Sequence, residues 1–318
     1  MDSARIAPVS TPPGRSGAPP GRSGTRPGHS GAPGRSGEVA GLLRSRRERL
    51  QPGDVGLPAG PRRRTRGLRR EEVAQLASIS TTYYTFLEQG RDIRPSRQIL
   101  DAVADALRLS EPERGYLHEL VHGSPAFLVS PAAAGGGPEK LPAAVADLVD
   151  RLDPDPAYVS GRCWDVLAAN RAARLLWANW PALPPPERNI VWWTFMHPAA
   201  RSVLVDWEAE ASAQLARFRA AAARHPGDPH FAALIERLQA GSAEVRAWWP
   251  RHDVAPLSSG TKRIRHPALG EVTFQHVVLQ LADDPEQKIV TFAAPARQRA
   301  ALARLVGELP GQAGGAAS

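Results

Sequence analysis

Between residues 38 and 122, apolar side chains recur three and four positions apart in five runs, the periodicity of short amphipathic helices. In EVAGLLRSRRERL, Val39, Leu42, Leu43 and Leu50 make one stripe and arginines take the other faces. QPGDVGLPAGPRRRTRG breaks the pattern with Pro and Gly. REEVAQLA resumes it, with Val73, Leu76 and Ala77 inward and Glu71 and Glu72 in the first turn, where the helix dipole favours carboxylates. After a break at Ser78 and Ile79, Ser80 is placed to cap a third helix through Gln89, and Gly90 to stop it. RPSRQILDAVADALRL has the cleanest stripe: Ile99, Leu100, Val103, Ala104 and Leu107 follow Ser96 as N-cap. SEPE at 110–113 has capping-box spacing, Ser110 with Glu113, and Pro112 is tolerated in the first turn of a fifth helix reaching about His122.

Beyond that point the pattern changes. Residues 123–142, GSPAFLVSPAAAGGGPEKLP, read as a linker. Strands are expected at 157–161 and 163–169, a helix from Asn170, and a largely helical middle at 199–249. β-rich segments follow at 261–266, 271–281 and 288–294, and a last helix at 297–308. Residues 143–309 thus predict an α+β domain after an all-α one at 38–122. Residues 1–37 repeat GRSG at 14–17, 21–24 and 34–37 and hold almost no large apolar side chain, so they cannot offset their ordering entropy and are expected to be a disordered tail. Residues 310–318 are expected to be a second tail.

Charge sharpens the division. The chain of 318 residues has a net charge of +8. Residues 1–100 hold 18 Arg and 8 acidic residues, and the remainder 22 basic and 24 acidic. The excess is therefore N-terminal, which points to an anionic partner there. All eight Trp lie between Trp164 and Trp249. The one cysteine, Cys163, excludes a disulfide framework within the chain and fits a cytoplasmic location. No apolar run approaches the ~20 residues a membrane span needs, and the N-terminus lacks the apolar centre of a secretory signal.

Two short helices with a tight break, the second capped by Ser80, make a helix-turn-helix unit, whose second helix enters the major groove of double-stranded DNA. Tyr84, Leu87 and Ile79 are expected in the core, with small Ala74 where the helices meet. Ser80, Thr81, Thr82, Tyr83, Thr85 and Phe86 are left on or near the outer face, where hydroxyls bond phosphates or bases and methyls meet thymine. Arg62, Arg63, Arg64, Arg66, Arg69 and Arg70 precede the unit and suit phosphates, as do Arg91 and Arg94 after it.

GLRREEVAQLASISTTYYTFLEQGRDIRPSRQILDAVADAL closely resembles the Cro/C1-type (xenobiotic-response-element) helix-turn-helix regulators and, more narrowly, the actinobacterial MmyB-like subfamily. AYVSGRCWDVLAANRAARLLW and RHDVAPLSSGTKRIRHPALGEVTF resemble that subfamily's PAS-like ligand-binding domain. The resemblance covers about residues 38–295. It implies a transcription factor whose C-terminal domain holds a hydrophobic small molecule, with fatty acids as the ligand type. It also implies base-reading roles for Thr81, Thr82 and Phe86, with Arg70 at the start of helix 2. Two departures stand out: members usually have a basic residue where Phe86 stands and Pro where Arg66 stands.

An apolar pocket needs large side chains and a few polar anchors. Trp164, Trp192 and Trp193 are the candidate walls, Asn170 a helix-entry residue counted among the ligand-binding candidates, and Arg162, His252, Arg263 and His266 the candidate partners for a carboxylate head. A two-fold homodimer on a palindromic operator would set two recognition helices about 34 Å apart. The competing readings are a small-molecule sensor or carrier whose helix-turn-helix contacts protein, and a zinc enzyme built on HELVH at 118–122. The latter would use His118 and His122 as ligands and Glu119 as base. That motif lacks a third ligand at an established spacing and ends a packing helix, so no enzyme, cofactor or metal is expected.

Overall fold

The computed structural model describes residues 34–58, 66–123 and 139–308. The expected tails at 1–37 and 310–318 and the linker at 123–142 fall largely outside these residues, as do Arg62, Arg63 and Arg64.

Five helices form the first domain: α1 Arg35–Arg49, α2 Arg70–Leu76, α3 Thr81–Glu88, α4 Arg97–Ala106 and α5 Glu111–His122. Their ends follow local chemistry. The Ser80 and Ser96 hydroxyls accept from the Tyr83 and Ile99 amides at 3.1 and 3.3 Å. Glu113 accepts from the Ser110 amide at 2.8 Å, and caps of this kind each contribute about 1 kcal/mol. α3 stops at Gly90, whose φ of +65° costs no Cβ clash. The inward stripes meet in one core with Leu42, Leu43, Val73, Tyr84, Leu100 and Leu117 fully buried. α1 begins at Arg35, so residues 35–37, expected to belong to the tail, are helical.

The second domain is α+β. Its elements are α6 Ala143–Arg151, β1 Ala157–Ser160, β2 Val166–Ala169, α7 Arg171–Leu176, α8 Ile190–Met196, α9 Ala200–Val203, α10 Trp207–Arg224, α11 Pro229–Gly241, α12 Ala243–Trp248, β3 Gly260–His266, β4 Gly270–Gln280, β5 Lys288–Ala293 and α13 Ala296–Glu308. The strands form one antiparallel sheet in the order β2-β1-β5-β4-β3, with Val278 opposite Val290 and Ile264 opposite Val272. One face, through Ile264, Phe274, Val290 and Phe292, joins the tryptophan-rich core under the helices. On the other face Val159 and Ile289 pack with Val149 of α6.

Three local features depart from the sequence expectations. Cys163 and Trp164 are not in β2: the Trp164 amide bonds the Gly161 carbonyl at 3.1 Å and Trp164 has φ +68°, so the chain turns there. NIVWWTFM, unassigned from its pattern, is helical because Asn189 Oδ1 accepts from the Val191 and Trp192 amides at 2.9 and 3.1 Å. α6 also forms in a stretch where no helix was expected.

The domains meet where α1 and α5 face α10 and the turn after α12. Buried Glu38 of α1 accepts from Arg219 of α10 at 2.7 Å and from the Tyr116 hydroxyl at 3.2 Å. Arg46 donates to the Arg251 and His252 carbonyls at 3.0 and 2.9 Å.

Candidate nucleic-acid interface and ligand cavity

The α2–α3 unit is closed by its turn. The Ile79 amide bonds the Ala74 carbonyl at 3.0 Å, and Ser78 between them has φ +55°. Ala74 is buried, as its small size requires where the two helices touch. The N-terminal end of α3 faces solvent: Ser80, Thr81 and Thr82 are exposed, and Tyr83, Thr85 and Phe86 half-buried. The Thr85 hydroxyl donates to the Thr81 carbonyl at 2.7 Å, so it is left to a partner only as an acceptor. Arg91 lies 4.3 Å over the Phe86 ring, which places a guanidinium beside a position where the sequence resemblance leads to the expectation of a basic residue.

Arg66, Arg69, Arg91 and Arg94 are exposed around this surface. Arg70 is placed differently. Its Nη2 and Nε bond Glu88 Oε1 at 2.9 and 3.1 Å, so it is folded back on the bundle rather than held free for a base. Glu88, fully buried, also takes Arg47 at 2.7 and 2.9 Å. Burial opposes ionisation of this carboxyl, but the Arg47 and Arg70 contacts outweigh it and hold its pKa below the usual range. Sequence reasoning missed this pair. The available signal was Glu88 at i+4 from Tyr84, hence on the inward stripe.

In the second domain a cavity of about 50 Å³ lies between the sheet and the helices, walled by Tyr158, Trp164, Trp177, Trp193 and Phe292. A cleft of about 250 Å³ adjoins it at the domain seam. Trp164, Arg217, Leu257 and Lys288 line both. Of the sequence candidates, Trp164 and Trp193 reach the cavity, and Arg162 reaches the cleft while pairing with Asp228 and Glu139.

The remaining candidates line neither hollow. Asn170 is a buried cap whose Oδ1 accepts from the Ala157 and Ala173 amides. Trp192 is half-buried elsewhere against the core. His252 faces Glu38 at the seam, 3.4 Å from Oε2. Arg263 alternates outward from buried Ile264 and pairs with Asp206 and Glu271. His266 ends β3, its Nδ1 accepting from the Ala268 amide at 3.3 Å. Missed were Arg217 and Lys288. Lys288 shares the inward alternation of Val290 and Phe292, a period-two signal visible in KIVTFA.

The HELVH side chains are engaged within the fold. His118 Nε2 lies 2.9 Å from Asp101 Oδ1, and Glu119 lies 3.8 Å from Arg224. Among the described residues no group of three metal-binding side chains forms, and no helix is long and apolar enough to cross a membrane. Burial pushes the Cys163 thiol pKa well above its ordinary value, which disfavours a thiolate.

Residues 141–306 match the family described as the MmyB-like transcription regulator ligand binding domain, and residues 38–117 match a helix-turn-helix domain. No curated protein matches the chain. Both matched families are regulator and ligand-binding modules rather than enzymes.

Proposed function

The chain belongs to the MmyB-like transcription regulators, a DNA-binding helix-turn-helix joined to a ligand-binding domain, and from that premise we propose that it represses or activates transcription at a specific operator in response to a hydrophobic small molecule. The observation that carries the DNA half is the exposure of Ser80, Thr81 and Thr82 at the start of α3 with Arg66, Arg69, Arg91 and Arg94 around them. Thr81 and Thr82 read base edges, Ser80, Tyr83, Thr85 and Phe86 border them, and the arginines hold phosphates. Arg70 acts through Glu88, by fixing α2 against the end of α3. A two-fold homodimer presents two α3 helices to a palindromic site about one DNA turn apart.

The ligand half rests on the aromatic cavity. Its volume of about 50 Å³ has room for only a few waters. A fatty acid, the class the sequence resemblance points to, therefore occupies the adjoining cleft as well or enlarges the cavity on entry. Gel-shift titration with the DNA upstream of the chain's own gene tests the DNA assignment. The Thr81→Ala, Thr82→Ala double variant is expected to weaken specific binding at least tenfold, the ~1–3 kcal/mol of a lost base contact, and to leave binding to random DNA unchanged. Affinity that barely responds to salt would favour the protein-contacting alternative, because phosphate contacts release counterions.

A further inference from the structure

Three residues that carry donor groups line both the aromatic cavity and the seam cleft, and none has a hydrogen-bonded or ion-paired carboxylate among the described residues. Lys288 is 7% exposed; its ammonium bonds the Glu286 carbonyl at 2.8 Å, and no carboxylate lies within ion-pair distance among the described residues. Arg217 makes no hydrogen bond or ion pair among the described residues, and it lines both hollows. The Trp164 Nε1–H is buried without an acceptor among the described residues, and Trp164 also lines both.

The neighbouring polar groups are already engaged. Arg162 pairs with Asp228, Arg224 with Glu119 at 3.8 Å, His225 with Glu286, and Lys262 with Glu210 at 3.1 Å. Glu286, Glu139 and Asp284 attract Lys288 only from beyond ion-pair distance, and an ammonium buried without a direct counter-ion is costly. Burial first, then nearby Arg224, lowers the Lys288 pKa to about 8, which still leaves it mostly protonated at pH 7. An ordinary core would remove such a group or pair it; a binding site keeps it for an arriving anion.

We infer that Arg217, Lys288 and the Trp164 indole bind the oxyanion head of an amphiphile at the seam between the domains, with α5 of the DNA-binding bundle forming one wall of the site. This rests on the reading of the second domain as a receptor for a hydrophobic small molecule, and it specifies the head group and its place. Pro112, Gly115 and Tyr116 of α5 line the cleft from the bundle's side. The apolar portion is served by Leu257 at the junction and by Trp193 and Phe292 within the cavity. Because the wall belongs to the bundle, head-group binding and domain docking are thermodynamically linked: a ligand that fits the docked arrangement favours it.

Tryptophan-fluorescence titration of the full chain at pH 7 with decanoate, decyl phosphate and decanol tests this. One or both oxyanions are expected to bind at least tenfold tighter than the alcohol, the ratio that a charge-assisted hydrogen bond of about 1.5–3 kcal/mol supports. In the Arg217→Gln, Lys288→Met variant that preference should fall to near unity with decanol affinity kept. Equal binding of alcohol and oxyanions by the unaltered chain overturns the head-group site and leaves the apolar receptor standing, whereas no binding of any of the three removes both. Gly115→Trp probes the wall separately, since a Cβ at Gly115 meets no atom within 4 Å and replacing a helical glycine does not disfavour the helix. It should weaken oxyanion binding about tenfold, the ~1.4 kcal/mol of a sterically narrowed site; undiminished affinity overturns the seam location.

Discussion

Glu88 ties three pieces of the DNA-binding bundle together: α1 through Arg47, α2 through Arg70 and the end of α3 through its own backbone. Removing its charge leaves Arg47 buried without its partner, so Glu88→Gln should destabilise the bundle by about 3–5 kcal/mol, measured by urea unfolding. Ser78 predicts the opposite sign. Its φ of +55° places a side chain in the left-handed region at an exposed turn. Ser78→Gly should therefore raise stability by about 0.5–1 kcal/mol, since relief of the strain exceeds the entropy lost with glycine. These two residues also show what the sequence hides. The break at Ser78 and Ile79 is legible because it interrupts a stripe. The role of Glu88 is not, because its arginine partners lie 41 and 18 positions away and no local pattern joins them.

Elements were legible where their ends are set locally. Ser80, Ser96 and Ser110 mark helix starts within a few residues of sequence, and in β4 buried Val272 and Phe274 alternate with exposed Glu271, Thr273 and Gln275. α8 was not legible: Trp192, Trp193 and Phe195 give it apolar side chains nearly all round, so there is no polar face to reveal the period. The seam was hidden as well, since it joins residues some 200 positions apart. There α1 presents Gly41 to the ring of His252, and a Cβ at Gly41 would lie 2.1 Å from a ring atom. Gly41→Leu, on a solvent-tolerant helix with Leu42 and Leu43 still inward, should loosen the docking of the domains without unfolding either one. Limited proteolysis between residues 123 and 142 should then proceed severalfold faster, as expected when a local opening costs ~1 kcal/mol less. An unchanged cleavage rate would mean the His252 contact contributes nothing to docking.

At the scale of the whole molecule the two domains differ in how their carboxylates respond to acid. In the bundle, Glu38, Glu88, Asp101 and Glu113 all have folded-state pKa values below the ordinary range. For the three glutamates burial pushes upward and arginine, histidine or backbone partners prevail; for Asp101 hydrogen bonds from His118 and Arg114 dominate. A depressed carboxyl contributes stability that is complete above its unfolded pKa and is lost as pH falls through its folded one. In the second domain the response is mixed. Burial raises Glu139, Asp153 and Asp165, so protonating them favours the fold as pH drops, while Asp228, Glu244 and Glu271 are lowered. The bundle should therefore be the more acid-labile part, beginning to lose stability below about pH 5, where an unfolded Glu of pKa ~4.3 starts to protonate. Glu38 is one of its sensitive groups and also bonds Arg219 of α10, so undocking should accompany the loss. The tryptophans make the order measurable, because all eight belong to the second domain. On acid titration, far-UV ellipticity should begin to fall at a higher pH than the shift in tryptophan emission. Coincident transitions would show instead that the seam binds the two domains into one cooperative unit, with docking strong enough to override the difference in their charges.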